Sequence, residues 1–389
     1  MARVLTSVDA VRAQFGALQQ PLAFFDGPGG TQVPDTVIEA MAGYLREANA
    51  NTGGPFATSR RTDEVLHRAH ELAGEFVGAS ADEVFFGANM TTLNFALSRA
   101  ASRDWREGDE IVCTVLDHDA NVSPWLQIAA DRGLVVKFAD IDEQCRLDVA
   151  SVRALLSDRT RVVAFPWAAN STGTVTPVAE LCALAHEAGA LAWVDAVHYA
   201  PHGPIDVRAV DADVLLCSPY KYYGPHLGLG YGRAELLESL RPYKVRPAAD
   251  DPVGHRFETG TLAHESLAGF IAAVEYLRRV GWDFVQEHER ELGAQFLDGL
   301  PDGWTLHGVP SMEGRTPTFA LTHARVSAEE ASTRLGEQGF ATWYGNYYAV
   351  EIMKRLRLDG GALRIGIVHY NTADEVSRLV DALADMSNV

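Results

Sequence analysis

Cysteine, net positive charge and long apolar runs are all scarce in this chain, and each shortage removes a class of protein. Four cysteines in 389 residues are too few and too scattered for a disulfide scaffold, and none has a second cysteine at metal-ligand spacing. Lys and Arg total 33 against 52 Asp and Glu, a formal net charge of −19. A phosphate backbone is held by basic patches, so no nucleic-acid partner is expected. No stretch approaches the ~20 apolar residues of a membrane span, and the N-terminus lacks the charged-then-apolar order of a signal peptide. The expectation is a cytoplasmic protein without a membrane partner. The G-x-S-x-G elbow, the G-x-x-x-x-G-K-[ST] loop and the H-E-x-x-H helix are also missing. Gly228-x-Gly230-x-Gly232 lacks dinucleotide-binding spacing and falls inside an apolar strand. His198 and His202 are four apart, but Pro201 between them prevents the helix that would align them, so no metal centre is expected.

What is present is an ordinary globular composition, 47% hydrophobic and 22% charged, long enough for two or three domains. Seven short apolar, β-branched runs read as strands: 84–86, 110–115, 134–138, 161–166, 191–195, 214–218 and 227–231. Helical patterns fall between them at 120–131, 148–156 and from Val178 to a C-terminal Gly189. Strand and helix in alternation mean parallel strands with crossover helices, hence an α/β layered domain. Residues 241–257, rich in Pro, Arg and Asp, read as a surface excursion. Helices are expected at 266–280 and 282–297, then strand 318–321, helix 327–338, strands 341–344 and 362–367, and helix 372–386. That tail is a second, smaller α/β unit.

The chemistry concentrates between Leu191 and Pro225. Leu191-Ala192-Trp193-Val194 is a buried-strand pattern ending in Asp195, at the strand end where α/β sheets place ligands. A second apolar run, Val214–Ser218, leads into Pro219-Tyr220-Lys221-Tyr222-Tyr223-Gly224-Pro225. Apolar surroundings disfavour the ammonium of Lys221 and favour the neutral amine that attacks carbonyl carbon. A carboxylate aimed at the same pocket would keep a pyridinium nitrogen protonated. Alone, each residue suits a plainer role: Asp195 capping a loop, Lys221 snorkelling to water.

The ordered motifs taken together resemble the class V aminotransferase family of fold type I pyridoxal-phosphate (PLP) enzymes, especially its cysteine desulfurase and selenocysteine lyase branch. The resemblance runs from about Phe25 to the C-terminus. Val194-Asp195-Ala196-Val197-His198 is similar to the pyridine-nitrogen motif, and Ser218-x-x-Lys221-x-x-Gly224-Pro225 to the cofactor-linking lysine motif. Asp117-His118-Asp119-Ala120-Asn121 resembles the segment whose His stacks on the cofactor ring. Asn170-Ser171-Thr172-Gly173-Thr174 resembles the loop whose Asn approaches cofactor and substrate. Arg256-Phe257-Glu258-Thr259-Gly260-Thr261 resembles the motif whose last Thr reaches the phosphate of the neighbouring subunit. The resemblance implies a large PLP-binding domain (20–258) with a mostly parallel seven-stranded sheet. A smaller C-terminal α/β domain (259–389, with 1–19) would carry the substrate-carboxylate site. It implies a homodimer with shared active sites. Lys221, Asp195 and His118 would be catalytic, with His198, Ser218, Asn89, Met90, Asn170, Tyr220 and Thr261 also holding the cofactor. Arg364, Asn170 and Tyr348 would meet a small amino-acid substrate.

Departures from the pattern direct the functional expectation. Asn89-Met90 stands where the family more often has Gly-Thr; backbone donors at a helix start survive that change. His198 replaces a Gln, and Tyr220 a His of some relatives. Arg364 interrupts an apolar strand, which suits either a substrate carboxylate or a structural ion pair. Tyr348, in Trp343-Tyr344-Gly345-Asn346-Tyr347-Tyr348-Ala349, stands where desulfurases carry the cysteine that attacks sulfur, and a phenol forms no persulfide. The expected reaction is therefore C–S (or C–Se) β-elimination. Transamination and epimerisation are the alternatives, and a non-catalytic PLP-fold binding protein is the alternative from another class.

Overall fold

The computed structural model describes residue 5 and residues 7–387. Residues 1–4 and 6 of the expected N-terminal part of the small domain lie outside the described residues, as do 388 and 389. All seven expected strands of the first unit form one sheet, at Val84–Gly87, Glu110–Thr114, Val135–Ala139, Thr160–Pro166, Leu191–Asp195, Val214–Cys217 and Gly228–Gly232. In the order just given, the sheet runs first, seventh, sixth, fifth, fourth, second, third. Gly228–Gly232 is antiparallel to both its neighbours, and the remaining pairings are parallel. The central strands are buried on both faces, as parallel strands covered by helices must be.

Local chemistry sets the boundaries. Asn89 caps the helix Met90–Ala101 by accepting from Thr92 N at 2.8 Å. Gly189, expected as a helix stop, has φ +70° directly after the helix Val178–Glu187 ends. The expected helix at 120–131 begins later, at Ser123, because Asp119–Asn121 forms a separate 3-10 turn and Pro124 fits the first helical turn. Gly228 permits a close crossing: a Cβ there would collide with the Asn89 backbone.

A four-stranded antiparallel sheet follows, in spatial order Trp343–Gly345, Ala362–Gly366, Thr318–His323, Trp304–His307. The single strand expected at 341–344 is split. Phe340–Ala341 pairs in parallel with Ala23–Phe24, and Trp343–Gly345 joins the antiparallel sheet instead. Trp304–His307 and the helices Asp35–Glu47, Ala57–Val77 and Val350–Leu356 were not singled out by periodicity. The helix His264–Val280 packs on Asp35–Glu47 and Ala57–Val77. Between Leu240 and Pro252 no helix or strand forms; a 3-10 turn, Val253–Phe257, ends that excursion. No described helix is long and apolar enough to cross a membrane.

Candidate active site

Four adjacent parallel strands end at the same edge of the large sheet, and their following residues make the floor of a cleft of about 970 Å³. Asp195 closes its own strand. His118 follows Glu110–Thr114, Asn170 follows Thr160–Pro166, and Ser218 to Lys221 follow Val214–Cys217. Asn89 and Met90 at the start of their helix complete that side. The antiparallel sheet supplies Arg364, and its edge strand Trp343–Gly345 with the following turn to Tyr348 forms the roof.

The floor holds charges in a dry setting. Lys221 is partly buried at the base of the cleft; desolvation first, then the Arg364 cation, lower its pKa to about 7, while Asp195 and Asp26 oppose that shift. Its Nζ donates to the Pro28 carbonyl and lies 4.8 Å from the Tyr220 ring centre. Asp195 is pushed up to about 6 by burial, although the Val197 N–H donates to its Oδ1 at 2.9 Å and Lys221 favours the carboxylate. Asp26 is likewise raised to about 6 by burial, and Arg364 and Lys221 pull it back. Arg364 is lowered to about 10, chiefly by burial. Lys221 thus lies close enough to Asp195, Arg364 and Asp26, the last in the adjoining pocket, for each to shift its titration.

His118 accepts from the Ala120 N–H at Nδ1, 3.0 Å, so the neutral ring carries its proton on Nε2. Burial, then Lys221 and Arg364, depress its pKa to about 4. Asp117 beside it is wholly buried and accepts from Thr114 Oγ1 at 2.6 Å and Asn121 Nδ2 at 2.8 Å, which fixes the turn. His198 Nε2 lies 3.3 Å from Thr316 Oγ1, which leaves Nδ1 for a ligand. Ser218 Oγ accepts from Met90 N–H at 3.2 Å and ties the lysine turn to the helix start.

The roof is held by its backbone. Asn170 Nδ2 donates to Tyr347 O at 3.0 Å, and Asp119 N–H donates to Tyr348 O at 2.7 Å. Those bonds retain two consecutive tyrosines at φ +53° and +56°, a region that costs roughly 1–2 kcal/mol for a residue with a Cβ. The Tyr347 ring covers the Arg364 guanidinium at 4.2 Å. Tyr348 is 70% exposed, with its ring 5.6 Å from that of His118. A Cβ on Gly29 would collide with the Trp343 indole, so the floor glycine is what lets that ring close.

Nine of the ten residues expected at the cofactor line this cleft, as do Arg364 and Tyr348. Thr261 does not; it is exposed, just before the helix His264–Val280. Asp26, Gly29 and Tyr347 were not anticipated. The run Asp26-Gly27-Pro28-Gly29-Gly30 after Phe24-Phe25 was the available signal, a tight turn directly following an apolar pair. Asn170 Oδ1 and Arg364 Nε are buried without partners, and both belong to the cleft. Such orphans fit a ligand that supplies the missing donor and acceptor. The donor set also suits PLP: a neutral-prone amine, a carboxylate for a ring nitrogen, an imidazole and a helix start.

A model of the class-V aminotransferase family matches residues 23–379. The chain is 32% identical to the "Cysteine desulfurase" of Dickeya dadantii, over 97% of this chain and 96% of that one. It is 31% identical to the "Aminotransferase-like protein FGM3" of Gibberella zeae, over 97% and 98%. The apo structure of a cysteine desulfurase from Thermococcus onnurineus NA1 superposes with a TM-score of 0.94 at 23% identity, over 100% and 99% of the two chains.

Proposed function

The chain belongs to the class V aminotransferase family and is a PLP-dependent enzyme, and we propose that it cleaves the Cβ–S (or Cβ–Se) bond of a cysteine-like amino acid by β-elimination. One observation carries this reading. The cleft has a buried amine, acid and guanidinium, yet none of its lining residues is a cysteine, and all four cysteines are buried elsewhere. PLP, when bound, supplies a protonated ring that draws electrons from the substrate's α-carbon.

The chain's own residues do the rest. The Lys221 amine, close to half neutral near pH 7, takes the α-proton at Nζ. Asp195 keeps its negative charge against the ring nitrogen once that nitrogen bears a proton. Arg364 receives the substrate α-carboxylate on the guanidinium edge that protein leaves unpaired. The Asn170 carboxamide and the His118 imidazole position what lies between, and the pinned roof excludes water. A Cα–H and a Cβ–S bond break, and the thiol leaves with a proton. With one water consumed, the remainder becomes pyruvate and ammonia. The reading includes a homodimer in which Thr261 of each chain serves the partner's cleft.

S-methyl-L-cysteine tests the reaction class, because its sulfur already bears a carbon and cannot be taken up as a persulfide. Methanethiol, pyruvate and ammonia in equal amounts are expected. A keto acid accompanied by the pyridoxamine form of the cofactor would replace this reading with transamination.

A further inference from the structure

Away from the cleft, two imidazoles and a carboxylate converge on one point. His70, on the helix Ala57–Val77, places Nδ1 2.8 Å from the Leu66 carbonyl and Nε2 2.8 Å from Glu258 Oε1. Both partners are acceptors, so at these distances His70 donates from both ring nitrogens as an imidazolium; burial opposes the charge, but the hydrogen bond and charge of Glu258 hold the proton on the ring. That same oxygen already accepts from Phe86 N–H at 2.9 Å. A divalent cation at this place would take over the part of the His70 proton, joining Nε2 to the carboxylate.

A third potential ligand stands beside the pair. The His255 ring lies 4.2 Å from that of His70, centre to centre, tilted by 44°. A metal ion that displaces the His70 proton gains that second ring as a ligand, which the proton does not. One ligand atom from each of His70, His255 and Glu258 lies within 4.8 Å of the others. Tetrahedral zinc bonds of about 2.0–2.2 Å set ligand atoms roughly 3.3 Å apart, so His70 Nε2 and Glu258 Oε1 must part slightly while His255, half-buried on a short 3-10 turn, comes nearer. The Leu66 carbonyl is the outer partner that metal-bound imidazoles ordinarily have.

We propose that His70, His255 and Glu258 form a binding site for one zinc-like divalent cation. Two nitrogens and a carboxylate select a borderline ion over Mg²⁺ or Ca²⁺, and a water completes the four ligands. The ion would tie the helix Ala57–Val77 to the turn that precedes Thr259-Gly260-Thr261. It takes no part in the cleft reaction, since none of the three residues lines that cavity.

The test is zinc titration of the tag-free, chelator-stripped holoenzyme against a chromophoric competitor, with bound metal counted after gel filtration. One zinc per chain is expected, undisturbed by millimolar Mg²⁺. Both His255→Asn and Glu258→Gln should weaken it by at least about 100-fold, more than loss of an outer-shell partner does. His255 is half-buried and the Glu258 side chain only 9% exposed, so the helical content of each variant is checked first. Zinc bound equally by wild type and both variants would overturn the proposal. So would a His70 imidazolium seen by NMR at pH 7 that zinc leaves unchanged.

Discussion

The floor of the cleft is made of strand ends, whereas its roof is the edge strand Trp343–Gly345 and the turn 346–348 that continues it, the turn held by hydrogen bonds to its carbonyls. Asp195, Ser218 and Lys221 occupy the positions they do because parallel β-strands stop in register there, and the core under them is fully buried. The roof has Trp343, Tyr344 and Tyr348 in solvent at 51%, 44% and 70% exposure, with two left-handed tyrosines. A rigid floor fixes charges where they are electrostatically costly, and so sets which bonds can be broken. A loosely packed roof decides which substituent is admitted and what happens to it afterwards. On the proposed reading, proton removal and electron withdrawal belong to the floor and the fate of the departing sulfur to the roof, so substitutions can address the two separately.

The largest effect belongs to the floor. Lys221→Ala should remove the visible absorbance of lysine-linked cofactor and its covalent retention after borohydride. Turnover should fall by at least about 10²–10⁴-fold. An unchanged spectrum would take Lys221 out of the mechanism. Next comes Arg364→Ala, which should weaken carboxylate substrates by about 2–5 kcal/mol in kcat/KM because a buried cation is lost. Lys at the same position should recover little of this, lacking the planar fork. A normal KM would return Arg364 to a structural role.

The third prediction concerns pH and the cofactor-free protein. Lys221 releases its proton at about 7 when folded and at 10.5 when unfolded. Between those values the unfolded chain binds more protons, so the wild-type chain gains stability from this group as pH rises. Lys221→Met, with no charge to bury, should melt higher than wild type below pH 7, and the advantage should shrink from about pH 7 to 10. Thermal melts across that range check this; a constant difference would mean the ammonium is not the cause. The smallest effect belongs to the roof. Tyr348→Ala should change stability by no more than about 0.5 kcal/mol, because its ring is mostly in solvent. It should alter the preference among S-alkyl cysteines while leaving cofactor retention intact. Loss of the cofactor in this variant would break the division between floor and roof.

The same division governs what the sequence discloses. An apolar run that stops at Asp195, or one that stops before a lysine among aromatics, is a local pattern, and all seven strands of the large sheet were legible for that reason. Tyr347 over Arg364, Trp343 against Gly29 and Asp26 beside Gly366 join residues 17 to 340 positions apart. No periodicity encodes such meetings. The split of the strand expected at 341–344 has the same origin, since Phe340 and Ala341 are claimed by Ala23 and Phe24 from the far end of the chain. Thr261 stood out only through its motif, and its exposure is what a residue serving a second copy would have in the single chain.

The most direct test of the central claim is the carbon product formed from L-cysteine by the PLP-loaded protein. A roof without a thiol predicts pyruvate and ammonia, with sulfide released in equal amount. Alanine in place of pyruvate, with sulfur retained on the protein or passed to an added thiol, would contradict it. That result would mean the floor hands its sulfur to an acceptor other than this loop.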